Sequence, residues 1–295
     1  MAESGPYQYF LYEVNDRVAT ITFNRPERLN AITFELAREL PRVIDAAAAD
    51  PEVHVIVLQG AGKGFCGGYD LQEYAEQQSE HPCGQDEMPW DQTADFQAMW
   101  ECTQHYMSIW RCNKPVIAKV HGAAVAGGSD IALCCDMILM ADDARIGYPP
   151  TRVWGIPTTM MWVYRLGIEQ AKRMLFTGDL VSGKEAETMG LIQQSVPANE
   201  LDTAVQALCD RIKGVPRNQL MMSKMVVNQA YEAMGMANTQ RFATLFDGFA
   251  RHSPEGKWFE ERARDVGYKQ AVAERDSGEP IAEGRSKDFS PFGIR

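Results

Sequence analysis

The chain lacks an excess of positive charge and any long apolar run. Its 295 residues include 29 Lys and Arg against 40 Asp and Glu, which gives a net charge of -11. Nucleic acids and anionic membranes attract basic surfaces, so this balance argues against either as the main partner. No run approaches the ~20 apolar residues of a membrane span, and residues 1–10 lack the basic and apolar regions of a signal peptide. We therefore expect a cytoplasmic protein.

The sequence also lacks a metal-binding pattern. Its seven cysteines are odd in number, include no C-x-x-C motif and show no Cys/His spacing typical of a metal site. We expect free thiols in a reducing compartment and no bound metal. Apolar residues make up 45% of the chain, which is ordinary for a globular protein and sufficient for one large domain with a smaller appendage.

Glycine is concentrated in two turns, each of which follows an apolar, strand-like run. The turns read FCGGYDL at 65–71 and HGAAVAGGSD at 121–130. Because glycine has no Cβ, a ligand can approach the backbone closely there, and a helix N-terminus adds partial positive charge. Asp130 follows Gly127 by three residues, so a helix beginning near Gly127 would place the carboxylate on the same face as the exposed amide. This pattern predicts an oxyanion hole with an adjacent acid/base group.

The order of the predicted elements favours an α/β fold. Residues 9–14 and 18–23 alternate in polarity and predict a β-hairpin. Strand, turn and helix then follow one another repeatedly, which is typical of a largely parallel sheet with helices outside it.

The composition changes along the chain and indicates three regions. We assign an α/β core to residues 1–200, a helical region to 201–275 and a loosely ordered tail to 276–295. Within the helical region, 254–275 predicts a single helix. The polar stretch 77–91, which is broken by prolines and glycine, predicts a surface insertion, with a lid as the alternative.

Several short motifs occur together in one order. NRPERLNA stands at 24–31, PVIAKVHG at 115–122, CDMI at 135–138 and FTGD at 176–179. With the two glycine turns, they resemble the crotonase superfamily, also called the enoyl-CoA hydratase/isomerase family, over about residues 8–231. The resemblance implies a spiral of ββα units with a C-terminal helical trimerisation region, assembled as a homotrimer or homohexamer. It also implies a coenzyme A thioester as substrate, with no separate cofactor.

The resemblance implies a role for individual residues at the two turns. The main-chain N–H groups of Tyr69 and Gly127 would form the oxyanion hole, and Asp130 would be the acid/base group. These three residues are the predicted catalytic set.

The resemblance also places the coenzyme A contacts near the N-terminal motif. They fall on Arg28, Asn30 and Ala31, with Gly67 and Asp70 lining the neighbouring turn. A basic residue at position 28 would offset the negative charge that the chain and coenzyme A share.

The sequence departs from the family pattern at the acid/base positions. Family hydratases use two glutamates, but here the first is Asp130 and the second falls on Pro150 or Thr151, neither of which carries a proton at neutral pH. Hydratase activity is therefore in doubt, whereas thioester enolate chemistry stays plausible because the hole supplies the larger electrostatic contribution. Candidate substitutes in the same segments are Tyr69, Glu73, Tyr74, His121, Tyr148 and Arg152.

Three functions are consistent with these residues. The first is an enzyme of the hydratase/isomerase type, with Asp130 moving the proton. The second is an acyl-CoA or β-ketoacyl hydrolase that uses the same hole, and the third is a coenzyme A-binding scaffold that has lost catalysis. The identity of the acyl group does not follow from the sequence.

Overall fold

The chain forms a mixed α/β structure followed by a helical C-terminal part. The computed structural model describes residues 7–77 and 89–279. Most of the predicted insertion at 77–91, the tail from residue 280 onward, and Cys83 lie outside the described residues. No helix in the described ranges has both the length and the apolar character needed to cross a bilayer.

Two sheets are present in the described part of the chain. Their strands are β1 Phe10–Asn15, β2 Val18–Phe23, β3 Val55–Gly60, β4 Val116–Val120, β5 Ala123–Val125, β6 Met137–Ala141, β7 Arg145–Gly147, β8 Leu180–Ser182 and β9 Gln194–Val196. The main sheet has the order β1-β2-β3-β4-β6-β9, and β5, β7 and β8 form the second sheet. Strands β2, β3, β4, β6 and β9 pair with one another in parallel, which confirms the predicted largely parallel sheet.

Strands β1 and β2 form the predicted hairpin. They are antiparallel and pair from Phe10 with Phe23 to Asn15 with Val18. The two turn residues, Asp16 and Arg17, both have positive φ (45° and 66°), the backbone twist that a two-residue hairpin loop needs.

Ten α-helices complete the described structure. They are α1 Phe34–Ala49, α2 Gln92–Arg111, α3 Gly127–Cys134, α4 Met161–Thr177, α5 Gly183–Thr188, α6 Leu201–Lys213, α7 Arg217–Ala233, α8 Met236–His252, α9 Pro254–Val266 and α10 Tyr268–Arg275. Helix α1 begins after Thr33, whose side chain accepts a hydrogen bond from the Leu36 amide.

The single helix expected over 254–275 is wrong, because Gly267 divides it into α9 and α10. Gly267 has φ 84° and ψ 146°, a conformation that a right-handed helix cannot contain. The break turns α10 so that Tyr268 and Arg275 face the cavity beside the two glycine turns. The C-terminal helices therefore contribute to the site of their own chain.

Candidate active site

A cavity of about 340 Å³ lies between the two glycine turns and the C-terminal helices. Four predicted site residues line it: Gly67, Tyr69, Gly127 and Asp130. Its walls are mostly apolar, with a few polar groups, as is usual for a small-molecule site.

Backbone hydrogen bonds hold the two glycine turns side by side. The Cys66 amide donates to Ala123 O (2.9 Å), and the Val125 amide donates to Cys66 O (3.0 Å). Gly68 has φ 93°, and a Cβ there would stand 2.8 Å from Ala126 Cβ and 3.5 Å from the Gly127 nitrogen. Only glycine allows this close approach.

The amides of Tyr69 and Gly127 both lie at this contact. Gly127 is the first residue of α3, where a helical N–H has no acceptor within the helix. Across the described residues, no protein group accepts a hydrogen bond from either amide. The two donors thus border the cavity without a protein partner, as an oxyanion hole requires.

Asp130 lies in the first turn of α3 and is almost completely buried, with 2% of its surface exposed. Thr159 Oγ1 donates to Asp130 Oδ1 (2.7 Å), and no Lys, Arg or His of the described chain forms an ion pair with this carboxyl group. Burial raises the pKa of Asp130 to about 8; the Thr159 hydrogen bond opposes this shift, and the charge of Asp247 adds to it. A carboxyl group with a pKa near neutrality suits proton transfer in either direction.

Arg28 and Asp70 form an ion pair beside the cavity. Arg28 Nη2 contacts Asp70 Oδ1, and Arg25 Nη2 lies 3.2 Å from Asp70 Oδ2. Burial alone would raise the pKa of Asp70, but the hydrogen bond and charge of Arg28 outweigh it and lower that pKa. Arg28, Ala31, Gly67 and Asp70 border a second hollow of about 290 Å³. The residues that it shares with the cavity are Gly67, Tyr69, Leu71 and Tyr268.

Asn30 has a different environment from the other predicted coenzyme A contacts. It is fully buried, and its side-chain amide donates to Ala61 O and Gly64 O, both at 2.9 Å. Its Oδ1 accepts a hydrogen bond from the Arg25 amide (2.9 Å). The Asn30 side chain therefore stabilises the loop by hydrogen bonds, and it does not line the second hollow.

The candidate substitutes for the second glutamate divide into two groups. Tyr69, Tyr74 and Tyr148 line the cavity, as does Pro150. Thr151 does not line the cavity, and its hydroxyl donates to Leu175 O (2.6 Å). The candidates outside the cavity lining are Glu73, His121 and Arg152.

Helix α8 brings two charged groups to the cavity that the sequence does not mark as functional. Asp247 and Arg251 both line it, and Arg251 Nε donates to Asp247 Oδ2 (3.0 Å). Asp247 Oδ1 accepts a hydrogen bond from the Ile156 amide (2.9 Å). An Asp and an Arg four residues apart commonly form an ion pair on an exposed helix face. Only burial distinguishes Asp247 and Arg251 from such a surface pair, and burial cannot be read from the spacing.

Comparison with known proteins identifies the family of the chain. Residues 13–266 match the family model described as enoyl-CoA hydratase/isomerase. The crystal structure of an enoyl-CoA hydratase from Mycobacterium smegmatis is 44% identical with a TM-score of 0.85, over 92% of this chain and 94% of that one. An enoyl-CoA hydratase/isomerase from Xanthobacter autotrophicus is 31% identical with a TM-score of 0.83, over 93% and 99%. A Rhizobium meliloti protein named probable enoyl-CoA hydratase is 32% identical, over 81% and 90%.

Proposed function

Because the chain belongs to the enoyl-CoA hydratase/isomerase family, we propose that it stabilises the enolate of an acyl-CoA thioester and moves the α-proton with Asp130. The observation that carries this proposal is the position of Asp130 in the cavity, three residues after Gly127 and without a cationic partner in the described chain. A carboxyl group in such a place is costly unless it is used.

The proposed chemistry needs two amides and one carboxyl group. The thioester carbonyl oxygen accepts hydrogen bonds from the Tyr69 and Gly127 amides. When the Cα–H bond breaks, its proton passes to the Asp130 carboxylate and its electron pair moves onto the carbonyl oxygen as an enolate. Return of the proton to carbon completes the exchange. Each oxyanion donor contributes on the order of 10²- to 10³-fold in rate.

We propose that the coenzyme A part lies along the second hollow, whose lining includes the cationic side chains of Arg28 and Lys269 beside the acidic Glu27 and Asp70. No separate cofactor is required for this chemistry. Arg28→Ala is expected to raise KM for a coenzyme A thioester about tenfold, the effect of one lost charge-assisted contact. Its kcat should stay nearly constant, because Arg28 does not line the catalytic cavity.

Two controls separate this contact from a general effect of charge. An N-acetylcysteamine thioester has no phosphate groups and should react equally well with the wild type and Arg28→Ala. Arg145→Ala removes an exposed arginine elsewhere and should leave KM unchanged. An equal loss with both thioesters would contradict a phosphate contact at Arg28.

Products formed in heavy-oxygen water test the proposed function. The protein is incubated with enoyl-CoA, dienoyl-CoA and β-ketoacyl-CoA thioesters, and the product masses are measured by mass spectrometry. Label in the acyl-CoA indicates hydration, a shifted double bond without label indicates isomerisation, and free acid indicates hydrolysis. No turnover of any thioester would leave the scaffold as the function.

We also propose a cytoplasmic homotrimer or homohexamer. Large apolar side chains are exposed on neighbouring helices, with Val226 of α7 72% exposed and Phe242 of α8 64% exposed. An apolar surface of this kind marks an interface. The six described cysteines are free thiols, which fits a reducing compartment.

Light scattering should give three or six times the chain mass of 33.0 kDa. Val226→Asp is expected to shift the protein toward the monomer, because a charge would be buried without a partner. Asp substituted for the exposed Val14 serves as the matched control. A wild-type protein that stays monomeric at micromolar concentration would contradict the proposal.

A further inference from the structure

The place where the family pattern puts the second glutamate contains a carboxyl group from another part of the chain. A Cβ on Gly155 would stand 3.1 Å from Pro150 Cβ. The same point lies 3.5 Å from Asp247 Oδ1 and 3.5 Å from the Tyr148 hydroxyl oxygen. Asp247, Tyr148 and Pro150 all line the cavity that contains Asp130. Asp247 of α8 thus places a carboxyl group near Pro150, where the loop itself has none.

The Tyr148 hydroxyl group is available to a ligand at this place. Tyr148 lines the cavity and is 7% exposed, and no described residue forms a hydrogen bond with its hydroxyl. Burial raises the pKa of Tyr148 well above its usual value, and the charges of Asp130 and Asp247 add to this. The phenol therefore stays protonated and can donate a hydrogen bond into the cavity. Because the hydroxyl borders the cavity, a bound water or ligand can accept this hydrogen bond.

Asp130 and Asp247 differ in their electrostatic environments. Burial raises the pKa of Asp247 as well, but the charge of Arg251 and the hydrogen bonds from the Ile156 amide and the Arg251 guanidinium oppose that shift and favour the ionised form. Asp130 has only the Thr159 hydroxyl. Two carboxyl groups in unlike surroundings can hold opposite protonation states, one as acid and one as base. Each Asp247 oxygen also keeps a lone pair for a further donor.

From this geometry we infer that Asp247 is the second carboxyl group of the active site and that, with Tyr148, it binds and deprotonates the water that adds to an enoyl-CoA. The inference rests on the proposed function. It makes hydration the reaction of this site, although the loop at 149–152 carries no acidic residue.

Addition of water to the double bond passes through an enolate. The water oxygen bonds to Cβ while its proton passes to the Asp247 carboxylate. The electron pair of the C=C bond moves through Cα onto the thioester oxygen. The protonated Asp130 then gives its proton to Cα and the enolate collapses, so that H and OH have been added. A proton returns from Asp247 to Asp130 through water and restores both groups.

The alternative role for Asp247 is to hold Arg251 in position without contacting water or substrate. Asp95 provides the control for that role, because it also pairs with Arg251. Asp95 Oδ1 accepts a hydrogen bond from Arg251 Nη2 (2.5 Å), and Asp95 is 1% exposed. It does not line the cavity. Asp95→Asn therefore weakens the same arginine with the same chemical change, at a position that substrate cannot reach.

The test measures two reactions in each variant. Hydration of straight-chain 2-enoyl-CoA thioesters is followed by label uptake from heavy-oxygen water. Proton exchange at Cα is followed as deuterium uptake by the matching saturated acyl-CoA in D₂O. Asp247→Asn is expected to slow hydration on the order of 10²- to 10⁴-fold, the contribution of one acid/base group. Its exchange should change far less, because loss of the Asp247 charge only lowers the pKa of Asp130 and moves the exchange profile to lower pH. Both rates of Asp95→Asn should change little.

Gly155→Ala provides a second route that leaves every carboxyl group in place. Gly155 does not need a positive φ, and its new methyl group would stand at the point shared by Asp247, Tyr148 and Pro150. It should exclude the attacking water and slow hydration with exchange preserved. This variant decides the question if Asp247→Asn does not fold.

The outcomes for the two proposals are distinct. Wild-type exchange without hydration of any 2-enoyl-CoA would overturn the role of Asp247 and leave the proposed function intact. The role of Asp247 would also be overturned if hydration survives in Asp247→Asn or Gly155→Ala. The same holds if Asp95→Asn slows hydration as much as Asp247→Asn does. Absence of both reactions in the wild type would overturn the proposed function itself.

Discussion

Asp130→Asn is expected to slow α-proton exchange by ~10³-fold or more while the protein stays folded, because it removes the acid/base group beside the oxyanion hole. Asparagine keeps the size of the side chain and can still accept a hydrogen bond from Thr159, but it cannot take up a proton. Binding of the coenzyme A thioester should change little. Deuterium uptake at Cα and equilibrium binding measure the two effects separately.

The pH profile connects this prediction to Asp130 itself. Since the pKa of Asp130 is raised to about 8, exchange by the wild type should increase as pH rises through that value and the carboxylate forms. Thr159→Val removes the hydrogen bond that lowers this pKa. It should move the profile to higher pH without removing the acid. A flat profile, or one unchanged by Thr159→Val, would contradict Asp130 as the base.

The same pKa has a consequence for stability. The folded-state value lies above the unfolded one, so the folded protein binds more protons between about pH 4 and 8. The contribution of Asp130 to stability is therefore complete at low pH and is lost as pH rises through about 8. Asp130→Asn lacks this loss, so its unfolding free energy relative to wild type should be higher at pH 9 than at pH 5. Urea titrations at the two pH values measure the difference.

The part of the site that sequence could predict is local in origin. The turn at Gly68 needs a φ of 93° and no Cβ, and these requirements appear in the sequence as glycine. The position of Asp130 follows from helical geometry once α3 begins at Gly127. The alternation of apolar strands and amphipathic helices similarly predicts the parallel sheet.

The parts that sequence could not predict depend on contacts between distant elements. Asp247 lies near Pro150 only because α8 packs there. Helical periodicity in a sequence shows that one face of a helix is buried, but not which element that face contacts. The sequence does not mark Gly267 as a helix end, since glycine inside a helix costs only about 1 kcal/mol and does not by itself end the helix. The motif around Asn30 predicts an important residue but cannot tell a ligand contact from a buried brace.

Gly68→Ala should reduce exchange on the order of 10²- to 10³-fold, as for the loss of one oxyanion donor. Its new Cβ would stand 2.8 Å from Ala126 Cβ and 3.0 Å from Val125 O, so the two turns must separate. The Tyr69 and Gly127 amides would then no longer converge, and catalysis is sensitive to displacements of ~1 Å. Loss of thioester binding should be smaller than loss of rate.

Gly190→Ala is the matched control, because Gly190 also has a positive φ (78°) but has nothing within 4 Å of the added Cβ. Both variants incur the backbone cost of alanine in this conformation, so both should melt at a lower temperature. Only Gly68→Ala should lose exchange. Adding Ala126→Gly to Gly68→Ala removes the closest clash and relieves the positive φ of 53° at Ala126, so it should recover part of the rate. If Gly68→Ala and Gly190→Ala exchange equally fast, the two turns do not form the oxyanion hole.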